Sequence, residues 1–146
     1  MNKKFNIAVD AMGGDNSPEK VLEGVNLLFE KNINARVNLY GDENIISSLI
    51  KKFKNINNDN CSIIHSPDVV PGETSVRDAI KLGKKTSMWM AIDSVKTGQN
   101  DIIVSSGNTG ALLVMSKLIL KMIEGLDKPA LAAVWPNFKG CSVVLD

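Results

Sequence analysis

Two short stretches hold the residue types from which an anion site can be built. Asp10-Ala11-Met12-Gly13-Gly14-Asp15 and Ser105-Ser106-Gly107-Asn108-Thr109-Gly110 are small, turn-competent and glycine-rich, so their backbones can take positive φ and approach a ligand closely. Each follows a short apolar run and precedes apolar residues at helical spacing. A strand that feeds a helix through such a loop gathers free N–H groups at its carboxyl end, and the helix dipole adds partial positive charge there. An anion, or an oxyanion developing during a reaction, fits that place. A plain strand-to-helix turn uses the same residues, and the loop alone does not separate the two.

Other chemistries find less support. Ser105 and Ser106 have no visible His/Asp partner, so a nucleophilic triad is not expected. His65 closes a predicted strand and could approach the site, although a lone histidine there more often has a structural part. One histidine and two unclustered cysteines, Cys61 and Cys141, offer no zinc site and no CxxC pair. Both thiols are expected to be free and buried, as in a reducing compartment. No metal is called for.

The elements that position the loops follow from periodicity. Phe5–Asp10 reads as a first strand. Ser17 has the character of an N-cap with Pro18 at the first helical position, and Val21, Leu22, Val25, Leu28 and Phe29 repeat at helical spacing. Arg36–Tyr40 is a second strand closed by Gly41, and Asp42 caps a helix with Ile46, Leu49, Ile50 and Phe53 on one face. A polar loop, 55–60, leads to a third strand, Ser62–His65. Ser66–Thr74, with Pro67, Pro71 and Gly72, is expected to be an exposed connection. Helical character returns at Ser75, breaks or kinks near Gly83, and continues through Met88–Val95 to Gly98. Ile102–Val104 is expected as a strand buried on both faces. Ala111–Ile123 reads as a mostly buried helix capped by Gly125. Ala130–Trp135 and Ser142–Leu145 are the last strands. The early order β-α-β-α-β-α-β-α predicts a doubly wound, mostly parallel sheet with helices on both faces.

Composition narrows the class. A length of 146 residues suits one domain, and 44% hydrophobic and 23% charged residues are globular values. A net charge of +1 without a basic tail argues against a nucleic-acid binder. The first residues, Met1 to Gly14, lack the apolar segment of a signal peptide, and the 111–123 helix is shorter than the roughly 20 residues a bilayer needs. A cytoplasmic protein is expected. The apolar closing strand is expected to leave an uncovered edge or face, as in a chain that stops before its fold is complete.

At the two glycine loops the sequence resembles a known family. DAMGGDNSPEKVLEG (Asp10 to Gly24), LYGDENII, IIHSPDVV, RDAIKLGKKTSMWMA and VSSGNTGALL fall in the order shown by the bacterial phosphate acyltransferases called PlsX. DAMGGD together with SGNTGAL is the specific part. The resemblance runs from Phe5 to Asp146 and covers only the N-terminal part of the longer family members. It implies an α/β/α sandwich related to phosphotransacetylases and isocitrate dehydrogenases, with 1–146 as the N-terminal part of a single, apparently truncated acyltransferase domain. It further implies transfer of a fatty acyl group from acyl carrier protein to inorganic phosphate, giving acyl phosphate for phospholipid synthesis. The implied enzyme is a cytoplasmic homodimer acting peripherally at the inner membrane surface.

Such a reaction needs no protein nucleophile and no cofactor. The protein must hold phosphate, align it with a thioester carbonyl and stabilise the oxyanion, and two converging helix N-termini would do both. Gly13, Gly14, Asp15, Ser105, Ser106, Gly107 and Gly110 are then the expected phosphate-binding residues, with Asn108, Thr109 and Asp10 as catalytic candidates. The Asn108 amide or Thr109 hydroxyl would donate to phosphate or oxyanion; helix capping is the alternative. Carboxylates repel a phosphate dianion, so Asp10 and Asp15 are expected to orient a lysine or arginine, or to bond loop amides, unless they serve only turn chemistry. Arg77, Lys81, Lys84 and Lys85, at helical spacing on one face, would dock the acidic carrier or form an ordinary solvated face. Two other readings stay open: a phosphotransacetylase-like enzyme using acyl-CoA, and a catalytically silent α/β domain that associates with itself or a partner chain.

Overall fold

The computed structural model describes residues 4–146; the reading of the first residues as no leader falls partly on residues 1–3, outside that range. Four parallel strands, β1 (Phe5–Asp10), β2 (Ala35–Gly41), β3 (Cys61–His65) and β4 (Ile102–Val104), lie in the order β3-β2-β1-β4. Side-chain alternation sorts the two faces. Ile7 and Val9, with Val37, Leu39, Cys61 and Ile63, pack against α1 (Glu19–Glu30) and α2 (Glu43–Ile50). The opposite face of the sheet carries α3 (Val76–Leu82), α4 (Ser87–Lys96) and α5 (Thr109–Leu120). There Ala8, Tyr40 and Ile103 meet Ala91 of α4, and Met88 and Ile92 pack with Ala111, Met115 and Ile119 of α5. This is the expected α/β/α sandwich on a doubly wound parallel sheet.

Several local expectations are corrected. Asp42 does cap α2, its carboxyl accepting from Asn44 and Ile45 N–H, but Ser17 does not cap α1. Pro18 holds the N-cap position, no side chain caps the helix, and the Ser17 hydroxyl donates to the Gly13 carbonyl at 2.6 Å, bracing the loop instead. The 66–74 connection is not wholly exposed. Ser66 and Val70 are buried, and the Ser66 hydroxyl lies 2.9 and 2.8 Å from the carbonyls of Asp68 and Lys85. The helical break falls at Gly83, whose φ of +76° ends α3 and opens a 3-10 turn, Gly83–Lys85.

β4 is covered on one face only. It is the sheet's edge, and Ile102 and Val104 remain 50% exposed. α5 stops at Leu120, where Lys121 turns to φ +70°. Its buried positions, Ala111, Met115 and Ile119, form one stripe, while Leu118 and Leu120 are exposed; it is not a mostly buried helix, and Gly125 lies beyond its end. The last two strands, β5 (Ala132–Asn137) and β6 (Gly140–Leu145), form an antiparallel hairpin that, among the described residues, pairs with no other strand. Every residue of both strands is exposed. Cys141, on β6, is therefore exposed and not buried, whereas Cys61 is buried as expected. Among the described residues no helix is long and apolar enough to cross a membrane.

Candidate functional site

From β1 the chain runs outward through β2 and β3, then returns to the other side of β1 to form β4. The winding direction reverses between β1 and β4, and in an open α/β sheet ligands lie in the crevice at such a point, outside the carboxyl ends of the strands. β1 ends at Asp10 and β4 at Val104, so the two glycine loops open side by side. They touch. A Cβ on Gly13 would lie 2.9 Å from Gly107 N, and one on Gly14, at φ +94°, would lie 2.6 Å from the Ser106 carbonyl oxygen. The Ser106 hydroxyl donates to the Gly13 carbonyl at 3.2 Å.

Beneath this contact sits Asp10, 1% exposed. The Ser87 hydroxyl donates to its Oδ1 at 2.6 Å and the Ser105 hydroxyl to its Oδ2 at 2.8 Å. Ser105 Oγ in turn accepts from Gly107 N–H at 3.1 Å. Among the described residues the expected lysine, arginine or loop-amide partner is thus replaced by two hydroxyls, and Asp10 reaches a loop amide through Ser105. Nothing local in the sequence marks Ser87. Thr86 caps α4 ahead of it, and no spacing rule joins residues 77 positions apart.

Asn108 is the N-cap of α5. Its Oδ1 accepts from Ala111 N–H at 2.9 Å, while its Nδ2 donates to the carbonyls of Gly72 and Thr74 at 2.8 and 2.9 Å. Its amide is therefore engaged within the protein. Thr109 is exposed, and among the described residues neither its hydroxyl nor the N–H groups of Thr109 and Gly110 have a partner. These groups open on a cavity of ≈550 Å³ bounded by Gly14-Asp15, Gly72-Glu73 and Ser106–Gly110. Gly13, Ser105 and Asp10 lie outside its lining and support it. No residue of α1 lines it, so one helix N-terminus faces the cavity, not two. Glu73, which the sequence reading left aside, joins Asp15 on its wall; no basic side chain lines it.

The remaining candidates lie apart. His65 Nδ1 accepts from Glu43 N–H at 3.3 Å, at the start of α2. Arg77 and Lys81 belong to α3, and Lys84 and Lys85 to the 3-10 turn. The break at Gly83 means that these four exposed cations do not share one helical face. Lys81 is 2.8 Å from Asp78, and this hydrogen bond, helped by Ser75, holds the Asp78 carboxyl below its usual range. Among the described residues no group of His, Cys, Asp and Glu could hold a metal ion.

The fold and the cavity define an α/β/α protein with a glycine-walled cavity at the point where its strand order reverses. The family model described as fatty acid synthesis protein matches residues 5–146, and the chain belongs to that family, the one its glycine motifs resemble. It is 52% identical over 146 residues to the phosphate acyltransferase of Pelagibacter ubique. It is 42% identical over 147 residues to that of Parvibaculum lavamentivorans and 40% identical over 146 residues to that of Rhodospirillum rubrum. Each alignment takes in 100% of this chain and 43%, 40% and 42% of the respective relative. The chain thus spans about two fifths of the length of the curated relatives it matches.

Proposed function

We propose that this chain supplies part of the site at which a fatty acyl group passes from acyl carrier protein to inorganic phosphate, as one portion of a single α/β acyltransferase domain. The family and the names of the relatives support an acyl transfer to phosphate. The observation that carries the reading is the free N–H pair of Thr109 and Gly110, at the start of a twelve-residue helix, facing glycine backbone across the ≈550 Å³ cavity.

In the proposed reaction a phosphate oxygen attacks the thioester carbonyl carbon. A C–O bond forms, the C–S bond breaks, and the carrier's thiolate leaves and takes up a proton. Phosphate is already anionic and thiolate leaves readily, so the protein contributes alignment and oxyanion stabilisation. The α5 amides and the Thr109 hydroxyl are the donors. Gly14, Ser106, Gly107 and Gly110 permit close approach, and Gly13 supports them from below. Asp10 is a positioning residue, fixing Ser105 and through it the Gly107 amide. Arg77, Lys81, Lys84 and Lys85 are the proposed docking surface for the acidic carrier, and a homodimer acting at the cytoplasmic membrane surface belongs to the same reading.

A phosphate titration followed by amide NMR tests the site. Shifts at Gly14, Gly107, Thr109 and Gly110 are expected, and unmoved signals at both loops would sink the idea. Incubation with acyl carrier protein thioester and isotopically labelled phosphate, followed by detection of labelled acyl phosphate, tests the reaction. Acyl-CoA in a parallel sample tests the choice of donor.

A further inference from the structure

A second cavity lies on the α1 side of the same crevice. It measures ≈360 Å³, at the small end of the ~300–1,000 Å³ usual for ligand pockets. Ile7, Val9 and Val104 form its sheet wall, and Val21 and Leu28 belong to its helical wall. The trench follows α1 from Val21 to Leu28, about 10 Å at 1.5 Å per residue.

Three observations give its occupant a chemistry. The body of the trench is apolar, but its upper end is closed by Asp10, Ser105 and Ser106. Ser106 also lines the ≈550 Å³ cavity, so the two spaces share a wall at the candidate phosphate site. Lys20 is the basic side chain among the residues lining the two cavities, and its ammonium donates to the Glu23 carboxylate at 2.9 Å. Finally, Gly24 stands midway along the helical wall, where an added Cβ would meet nothing within 4 Å. Glycine inside a helix is less favourable than alanine; here it leaves the trench open.

Resting on the acyl-transfer reading, we propose that this trench receives the hydrocarbon chain of the acyl group, with the carbonyl end at Ser106 and the chain running toward Ile7 and Leu28. The ligand class is an acyl chain with a polar or anionic head.

The probes are octanoate, decanoate and dodecanoate, titrated below their micelle concentrations into the full chain with methyl signals observed. Signals of Val9, Val21, Leu28 and Val104 are expected to shift, and binding to tighten about fourfold per added CH2 until the trench is full. Gly24→Leu, which fills the trench, is expected to weaken decanoate binding at least tenfold while leaving the phosphate shifts at Thr109 and Gly110 in place. In the unaltered chain, a fatty acid spin-labelled near its methyl end is expected to broaden Leu28 and Ile7, a readout that does not depend on how the variant folds. Affinity independent of chain length, unimpaired binding in folded Gly24→Leu, or broadening elsewhere would overturn the proposal. Fatty-acid shifts without phosphate shifts would retain the trench and defeat the phosphate site. Acyl phosphate formation with silent trench methyls would defeat the trench alone.

Discussion

Asp10, the last residue of β1, and Ser87, the first residue of α4, are 77 positions apart in sequence and 2.6 Å apart in space. Both are buried, so the bond ties the carboxyl end of the sheet to the helical layer above it. Ser87→Ala would leave a buried carboxyl oxygen without its donor, and a loss of about 1–3 kcal/mol is expected. Ser105→Ala should cost a similar amount and also release the Gly107 amide. Urea unfolding of the two single variants and the double variant checks this. A strictly additive double variant would show that the two hydroxyls do not act through one carboxyl group.

Two glycines should respond to the same substitution with opposite sign. A Cβ on Gly13 would lie 2.5 Å from a carboxyl oxygen of Asp10 and 2.9 Å from Gly107 N, and neither neighbour is free to yield. Gly13→Ala is expected to cost about 1–3 kcal/mol, as overpacking does. At Gly24 the space is open, and Gly24→Ala should stabilise by roughly 0.5–1 kcal/mol through helix propensity. Unfolding midpoints of the two variants decide both.

The cap at Asn108 can be separated from its hold on the neighbouring segment. Asn108→Ala removes the acceptor for Ala111 and both donors to Gly72 and Thr74, and should cost about 0.5–2 kcal/mol. Asn108→Asp keeps the acceptor and loses the donors. Amide exchange should then speed up around 72–76 while α5 stays protected; equal loss in both places would refute the separation.

Asp15 and Glu73 share the cavity with the α5 amides and repel a dianion. The charge-removing pair Asp15→Asn and Glu73→Gln should tighten phosphate binding, by a margin that shrinks as salt is added. Calorimetry at low and high salt reads this. Weaker binding in the double variant would mean that the carboxyls organise the site.

The two thiols should differ sharply. Cys141 is exposed and Cys61 buried, and burial pushes the Cys61 thiol up from 9.0 to about 12. At neutral pH, alkylation should label Cys141 quickly and Cys61 only on unfolding. Below pH 9 both the folded and unfolded states keep the Cys61 proton. Between 9 and about 12 the unfolded chain loses it while the folded chain does not, so this contribution to stability falls as pH rises through that window. Cys61→Ala should flatten that part of the curve.

Most of the sheet was legible in the sequence because each strand and helix carries its own period. Val21, Leu22, Val25 and Leu28 announce α1, and Asp42 announces α2. What escaped has no local signal. Ile102-Ile103-Val104 reads the same whether one face or two are covered, since coverage depends on which elements pack there. The sequence pattern runs past the end of α5 because Met122 and Ile123 continue the apolar composition beyond Lys121. At the site, the glycine loops were legible from residue type. Ser87 and Glu73 were not, because they arrive through the crossing of distant segments.

The contact between Gly13 and Gly107 has a thermodynamic consequence. Fixing a residue's backbone costs about 1–2 kcal/mol of conformational entropy, and at these two loops that cost falls on folding. Their backbone is ordered before any ligand meets it, so that part of the preorganisation comes with the fold. Segment 71–74 is different: its Gly72 and Thr74 carbonyls are tethered to α5 by the amide of Asn108. The order of that wall of the cavity therefore rests on one side chain and not on backbone contact.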